Sequence, residues 1–147
     1  MMKLKLGIAY AAAALVSAPA FAGFTQPAIV QVDLDARTAT GDIISARDAK
    51  DPDVFIGCGT RNFDDGAGGV FNFAFCQAED ADGDSVVCNT TNPELVRTIR
   101  EINDSSFITF GWDDDGAGNL TCTSMGFSTQ SFYQDKHTMD NVKGNAN

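Results

Sequence analysis

A chain of 147 residues is the size of one domain or a little more, and it carries 20 carboxylates against 10 Lys and Arg, a formal charge of −10. That excess disfavours nucleic acid and anionic lipid as partners, because affinity for either comes largely from cations set against phosphates. The acids are mostly Asp, a residue that caps and turns the backbone through its own side chain, so many turns are expected.

Lys3 and Lys5 precede an apolar run, Leu6 to Val16, broken only by Gly7, and Ala20-Phe21-Ala22 then supplies small residues around a cut before Gly23. This is the pattern of a removable secretion signal. The run is shorter than the ~20 apolar residues a bilayer span requires, so no membrane insertion is expected. The organisation expected is a signal over 1–22, a single domain over 23–133, and a polar, mobile tail over 134–147. The product is expected to be exported to the periplasm or beyond, with its formal charge taken from −10 to −12 by the loss of Lys3 and Lys5.

Alternation places the strands. Ala28–Asp35 sets Val30, Val32 and Leu34 on one face and Gln31, Asp33 and Asp35 on the other. A polar stretch through Thr40-Gly41-Asp42 and a short Ile43-Ile44 lead to a turn at Asp51-Pro52-Asp53 and a second strand, Val54–Thr60. Val70–Ala78 is the clearest strand, and its Phe71, Phe73 and Phe75 are expected to face the core. Asp80-Ala81-Asp82-Gly83-Asp84 turns it back into Ser85–Asn89 as a hairpin.

A helix follows. Asn92 caps it, Pro93 takes the first position, and Leu95, Ile99 and Ile102 form a stripe expected to lie on the sheet. Ser106–Trp112 and Asn119–Ser128 make a last hairpin. The fold class expected is α+β: an antiparallel-dominated sheet of about five to seven strands, one packed helix and two disulfides.

Asp64-Asp65-Gly66-Ala67-Gly68 recurs 50 residues later as Asp114-Asp115-Gly116-Ala117-Gly118, after an aromatic and before a strand in each case. The match points to one hairpin design used twice. A right-handed crossover from Ser85–Asn89 through the helix would set Ser106–Trp112 parallel to it, with both acidic loops at one end of the sheet. Asp64, Asp65, Asp114 and Asp115 would then form a joint metal site, with calcium the expected ion, since clustered carboxylates repel unless a cation relieves them. The Asp80–Asp84 loop lacks the Gly and bidentate Glu positions of an EF-hand and reads as an acidic hairpin tip.

Cys58, Cys76, Cys88 and Cys122 admit three pairings. No C-x-x-C or zinc-knuckle spacing exists, so structural disulfides are expected in an exported chain. A turn centred on Asp82 sets residue 76 opposite residue 88, which favours Cys76 with Cys88 and leaves Cys58 with Cys122.

Trp112 and Asp113, at a strand end beside an acidic loop, are the expected binding residues, for a protein or glycan partner. Catalysis finds little support: His137 is the one histidine and sits in the polar tail, and no G-x-S-x-G elbow occurs. The function expected is therefore a non-enzymatic secreted binding or structural module acting through an acidic loop end. A calcium-dependent, self-associating or adhesive protein is the alternative, and a small secreted hydrolase the third reading.

Overall fold

The computed structural model describes residues 25–134; the expected signal over 1–22 and the tail beyond residue 134 lie outside the described residues. Seven strands are present: β1 Gln31–Asp33, β2 Thr38–Asp42, β3 Phe55–Asp64, β4 Val70–Glu79, β5 Ser85–Thr90, β6 Phe107–Asp114 and β7 Leu120–Ser128. They form one sheet in the order β1-β2-β6-β7-β5-β4-β3. Two short helices accompany it, α1 Ile43–Arg47 and α2 Pro93–Ile99. The helical content is thus small. The sheet is mixed rather than purely antiparallel, because β5 meets β7 in a parallel contact at Asn89 and Thr121.

Helix α2 begins where Asn92 accepts the N–H groups of Glu94 and Leu95, and it buries Val96 and Ile99 against the sheet. It stops at Ile99, three residues short of the expected stripe, and Ile102 closes a final turn by donating to the Ile99 carbonyl. The first expected strand is reduced to β1, and the polar stretch after it is a strand. In β2 the inward residues are Ala39 and Gly41, and Gly41 lies so close to Val30 that a Cβ would come within 2.9 Å of its Cα.

The two halves of the sheet fold over a single core. Val32 of β1 donates its N–H to Asp80 at the β4–β5 turn, and Met125 of β7 lies 3.7 Å from the Cys76 sulfur. Between them sit Ile56, Ala74, Ala78 and Val86 from one half, and Ile108, Phe110 and Trp112 from the other.

The β4 faces are the reverse of expectation. Ala74, Cys76 and Ala78 point inward, while Phe71 is exposed and Phe73 and Phe75 are half-buried on the outer face. Small side chains suit an interior where two layers approach closely, and Cys76 is committed inward by its bridge.

The crossover also differs. β7, not β6, is the parallel neighbour of β5, and β6 pairs antiparallel with β2 and β7. Strand β6 therefore runs against β3, and the loops that follow these two strands leave the sheet in opposite directions.

The disulfides are Cys58–Cys76 and Cys88–Cys122, not the expected Cys76–Cys88 and Cys58–Cys122. The expected register is present, since Cys76 does stand opposite Cys88, but Cys58 stands opposite Cys76 on the other side. Cys58 and Cys76 have Cα atoms 4.0 Å apart, the close spacing of a non-hydrogen-bonded pair. The N–H and C=O of Cys76 then point towards β5, which makes Cys76 and Cys88 the wider, hydrogen-bonded kind of pair. The remaining expected bridge fails on distance. Cys58 and Cys122 are separated by β4 and β5, roughly 14 Å at about 4.8 Å per strand, where a disulfide needs Cα atoms within about 7 Å.

Candidate functional site

The twin acidic loops are one structure built twice. Each strand pair closes with the same register, Asp64 opposite Val70 and Asp114 opposite Leu120. Gly66 and Gly68 have φ of 75° and 89°, and Gly116 and Gly118 have 77° and 89°, left-handed values that glycine adopts without a Cβ penalty. Asp64 accepts the Gly66 N–H as Asp114 accepts that of Gly116. Asp65 accepts from Ala67 and Gly69, and Asp115 accepts from Ala117 and Asn119. The recurring pentapeptide is thus a self-contained turn whose carboxylates are occupied by its own backbone.

The joint metal site is not formed. The loops leave the sheet in opposite directions, and the described residues contain no group of three or more His, Cys, Asp or Glu placed to hold a metal ion. Asp64 and Asp65 do not meet Asp114 and Asp115.

Both second carboxyls titrate below the ordinary value of 3.8. For Asp115 the largest cause is the Asn119 side-chain amide, followed by the Ala117 and Asn119 N–H groups; for Asp65 the causes are the Ala67 and Gly69 N–H groups. A depressed carboxyl stabilises its loop fully above the unfolded value, and the contribution is lost as pH falls through the folded value. Carboxyl-detected NMR titration is expected to give both midpoints below 3.8, with Asn119→Ala moving Asp115 upward and leaving Asp65 in place.

Trp112 is not at a rim. It is 5% exposed, tilted against Phe110 at 6.1 Å, with Cys122 as its register partner. The pairing shifts from Gly111–Ser124 to Trp112–Cys122, so Thr123 is an extra residue. This bulge lets Cys122 and Met125 face the same core. Arg37, at φ 55°, accepts the Trp112 N–H through its carbonyl. Asp113 does lie on the surface, in an exposed pair with Arg37 at 3.6 Å.

Among the described residues, two concavities that carry acidic side chains lie away from these loops. A cleft of about 570 Å³ is lined by Ile29, Val30, Ile44, Val54, Phe132 and Tyr133 among others. Asp42 borders it at 1% exposure, but its oxygens accept from the Ala28 N–H, the Ser45 N–H and the Ser45 hydroxyl. Its role is to cap α1 and hold the entering chain. A second, acidic groove lies between the β1–β2 and β4–β5 turns. There Asp80 acts as a staple, accepting from Val32, Asp82 and Asp84.

The surface that stands out is the one expected to be core. On the outer face of the β3–β4 hairpin, Phe63 is 53% and Phe71 55% exposed. Phe63 stacks with Phe73 at 6.0 Å and an interplanar angle of 13°, and Phe71 meets Phe73 at 6.2 Å. Arg61 sits 4.8 Å above the Phe75 ring, and Phe75 itself lies across Gly59, where a Cβ would come within 3.0 Å of it. Phe55, 37% exposed, lies on the same face at the far end of β3. The sequence did carry a sign of this face: Gly59 on β3 stands opposite Phe75 of β4 and makes room for its ring.

No family model, no curated protein and no solved structure matches this chain. Its own geometry carries the functional reading.

Proposed function

We propose that this chain is a non-enzymatic, exported binding or structural module that engages another protein through the aromatic face of its β3–β4 hairpin. The observation that carries the reading is the contiguous aromatic set on the outer face of the hairpin, in which Phe63 and Phe71 are more than half exposed and both meet the half-buried ring of Phe73. Exposed apolar patches of this kind in a folded domain mark interaction surfaces. The rings lack a hydroxyl or indole N–H, and the adjacent Arg61 is engaged by Phe75 and by the Thr60 carbonyl. That chemistry suits apolar protein side chains better than a sugar, which needs hydrogen-bonding groups beside the rings. Two disulfides fit an oxidising compartment, and no helix among the described residues is long and apolar enough to cross a membrane. Calcium has no part in this reading, since the loop carboxylates do not converge.

The test is photo-cross-linking in the producing cells, with p-benzoylphenylalanine placed at Phe71 and, as a control, at Asp104. The expected result is a defined cross-linked polypeptide from position 71 and none from 104. No adduct, or equal adducts from both positions, would overturn the reading.

A further inference from the structure

Strand β3 is one of the two edges of the sheet, the other being the three-residue β1. Among the described residues β3 pairs only with β4. Edges of this length are normally blunted by Pro, Lys, an inward charge or a bulge. In β3, over Phe55–Asp64, the register with β4 is unbroken, no Pro or Lys occurs, and Arg61 is the one charge before Asp64. Because Cys58 forms a non-hydrogen-bonded pair with Cys76, the N–H and C=O groups of the even residues, Ile56, Cys58, Thr60 and Asn62, point to the open edge.

We infer that the protein engaged by this hairpin is a second copy of the same chain, joined β3 to β3 in an antiparallel two-fold pair centred on Gly59. The inference rests on the reading of the β3–β4 hairpin as a contact surface and names the partner that meets it along the β3 edge. The outward positions of β3 read Phe55, Gly57, Gly59, Arg61, Phe63, and this series is self-complementary about its middle. A two-fold axis at Gly59 sets Phe55 opposite the second copy's residue 63, an aromatic pair made twice. It sets Gly57 opposite the second copy's residue 61, so each guanidinium meets a position where a Cβ would have nothing within 4 Å.

The backbone agrees with that register. Residues 58 and 60 of the two copies become a hydrogen-bonded pair, as do 56 and 62, and these are the even residues whose polar groups face the edge. Arg61 now donates to its own Thr60 carbonyl at 3.0 Å. On pairing, that carbonyl is taken by the second copy's backbone N–H, and the guanidinium swings over the facing Gly57. The contacting stretch has no carboxylate until Asp64, so the acidic character of the chain does not oppose the contact locally. An isologous pair of this kind closes at two copies and leaves no further β3 edge.

The experiment compares Gly57→Lys with Gly57→Asp in the oxidised full chain by sedimentation equilibrium, from micromolar to millimolar protein. Both variants add a side chain at the same open position, so only the sign of charge facing Arg61 differs. The wild type is expected to show a monomer–dimer equilibrium. Opposed charges made twice across the pair should give Gly57→Asp a Kd roughly 10-fold lower than that of Gly57→Lys. Should Gly57→Lys fail to fold by near-ultraviolet circular dichroism, Arg61→Asp is the substitute, expected to weaken the dimer. A wild type monomeric at millimolar protein, or equal Kd values for the two Gly57 variants, overturns the second-copy assignment. A cross-link from Phe71 to a different polypeptide, with a monomeric chain, rejects this inference and keeps the binding-module reading; a monomeric chain with no cross-link rejects both.

Discussion

Trp112→Ala is expected to cost about 3–5 kcal/mol of stability in urea denaturation followed by circular dichroism, the loss seen when a large aromatic is cut from a closed core. The residue is 5% exposed and its ring packs on Phe110, while its backbone N–H bond to the Arg37 carbonyl survives the change. Its removal therefore opens a cavity and loosens the bulge that directs Cys122 inward. Phe63→Ala is the contrast, expected to cost under about 1 kcal/mol because half of that ring is already in water. Should the tryptophan change be mild and the phenylalanine change severe, the assignment of inner and outer faces would be reversed.

Removing the bridge between the two halves of the sheet is the second large effect. Cys88 and Cys122 are 34 residues apart in sequence and Cys58 and Cys76 are 18 apart. Loop-closure entropy then gives about 4 kcal/mol for the double Ala replacement of the first pair and about 3 kcal/mol for the second. Cys88–Cys122 also joins β5 to β7 where the ladder between them is short, so its loss is expected to lower the unfolding midpoint further than the entropy alone. Non-reducing peptide mapping checks the connectivity, since cleavage after Arg61 and Glu79 separates Cys58, Cys76 and Cys88. Linked fragments carrying Cys76 and Cys88 would refute the pairing.

How far the chain could be read from its residues follows from where the physics is local. The hairpin turns, the Asn92 cap with Pro93, and the register of Cys76 against Cys88 depend on neighbours in sequence, and each appears in the structure. The twin loops were legible for the same reason. Strand β2 was not, because its inward residues are Ala39 and Gly41, and Gly41 fits because Val30, in the segment just before β1, approaches it closely. Hydrophobicity alone sends Phe71, Phe73 and Phe75 inward, whereas the packing distance between two layers admits Ala74 and Ala78. The joint acidic site failed on topology: the neighbour of β5 is decided by the whole sheet, and no local pattern separates β6 from β7. Trp112 looked like a rim residue from its place in the sequence, and the bulge opposite it is a tertiary adjustment.

The row of cysteines across β3, β4, β5 and β7 also dictates the order in which the chain matures. Cys76 and Cys88 are only 12 residues apart, against 18 for Cys58 and Cys76, so random closure joins them about twice as fast. The quickest bond is therefore a wrong one. Its correction is short, because Cys58 stands beside Cys76 on the opposite strand. The Cys58 thiolate attacks the Cys76 sulfur and Cys88 leaves as thiolate; exchange with an external disulfide, which is reduced to its dithiol, then joins Cys88 to Cys122. Because the sheet aligns attacker and target, the mispaired chain is a step on the route to the native state rather than a dead end.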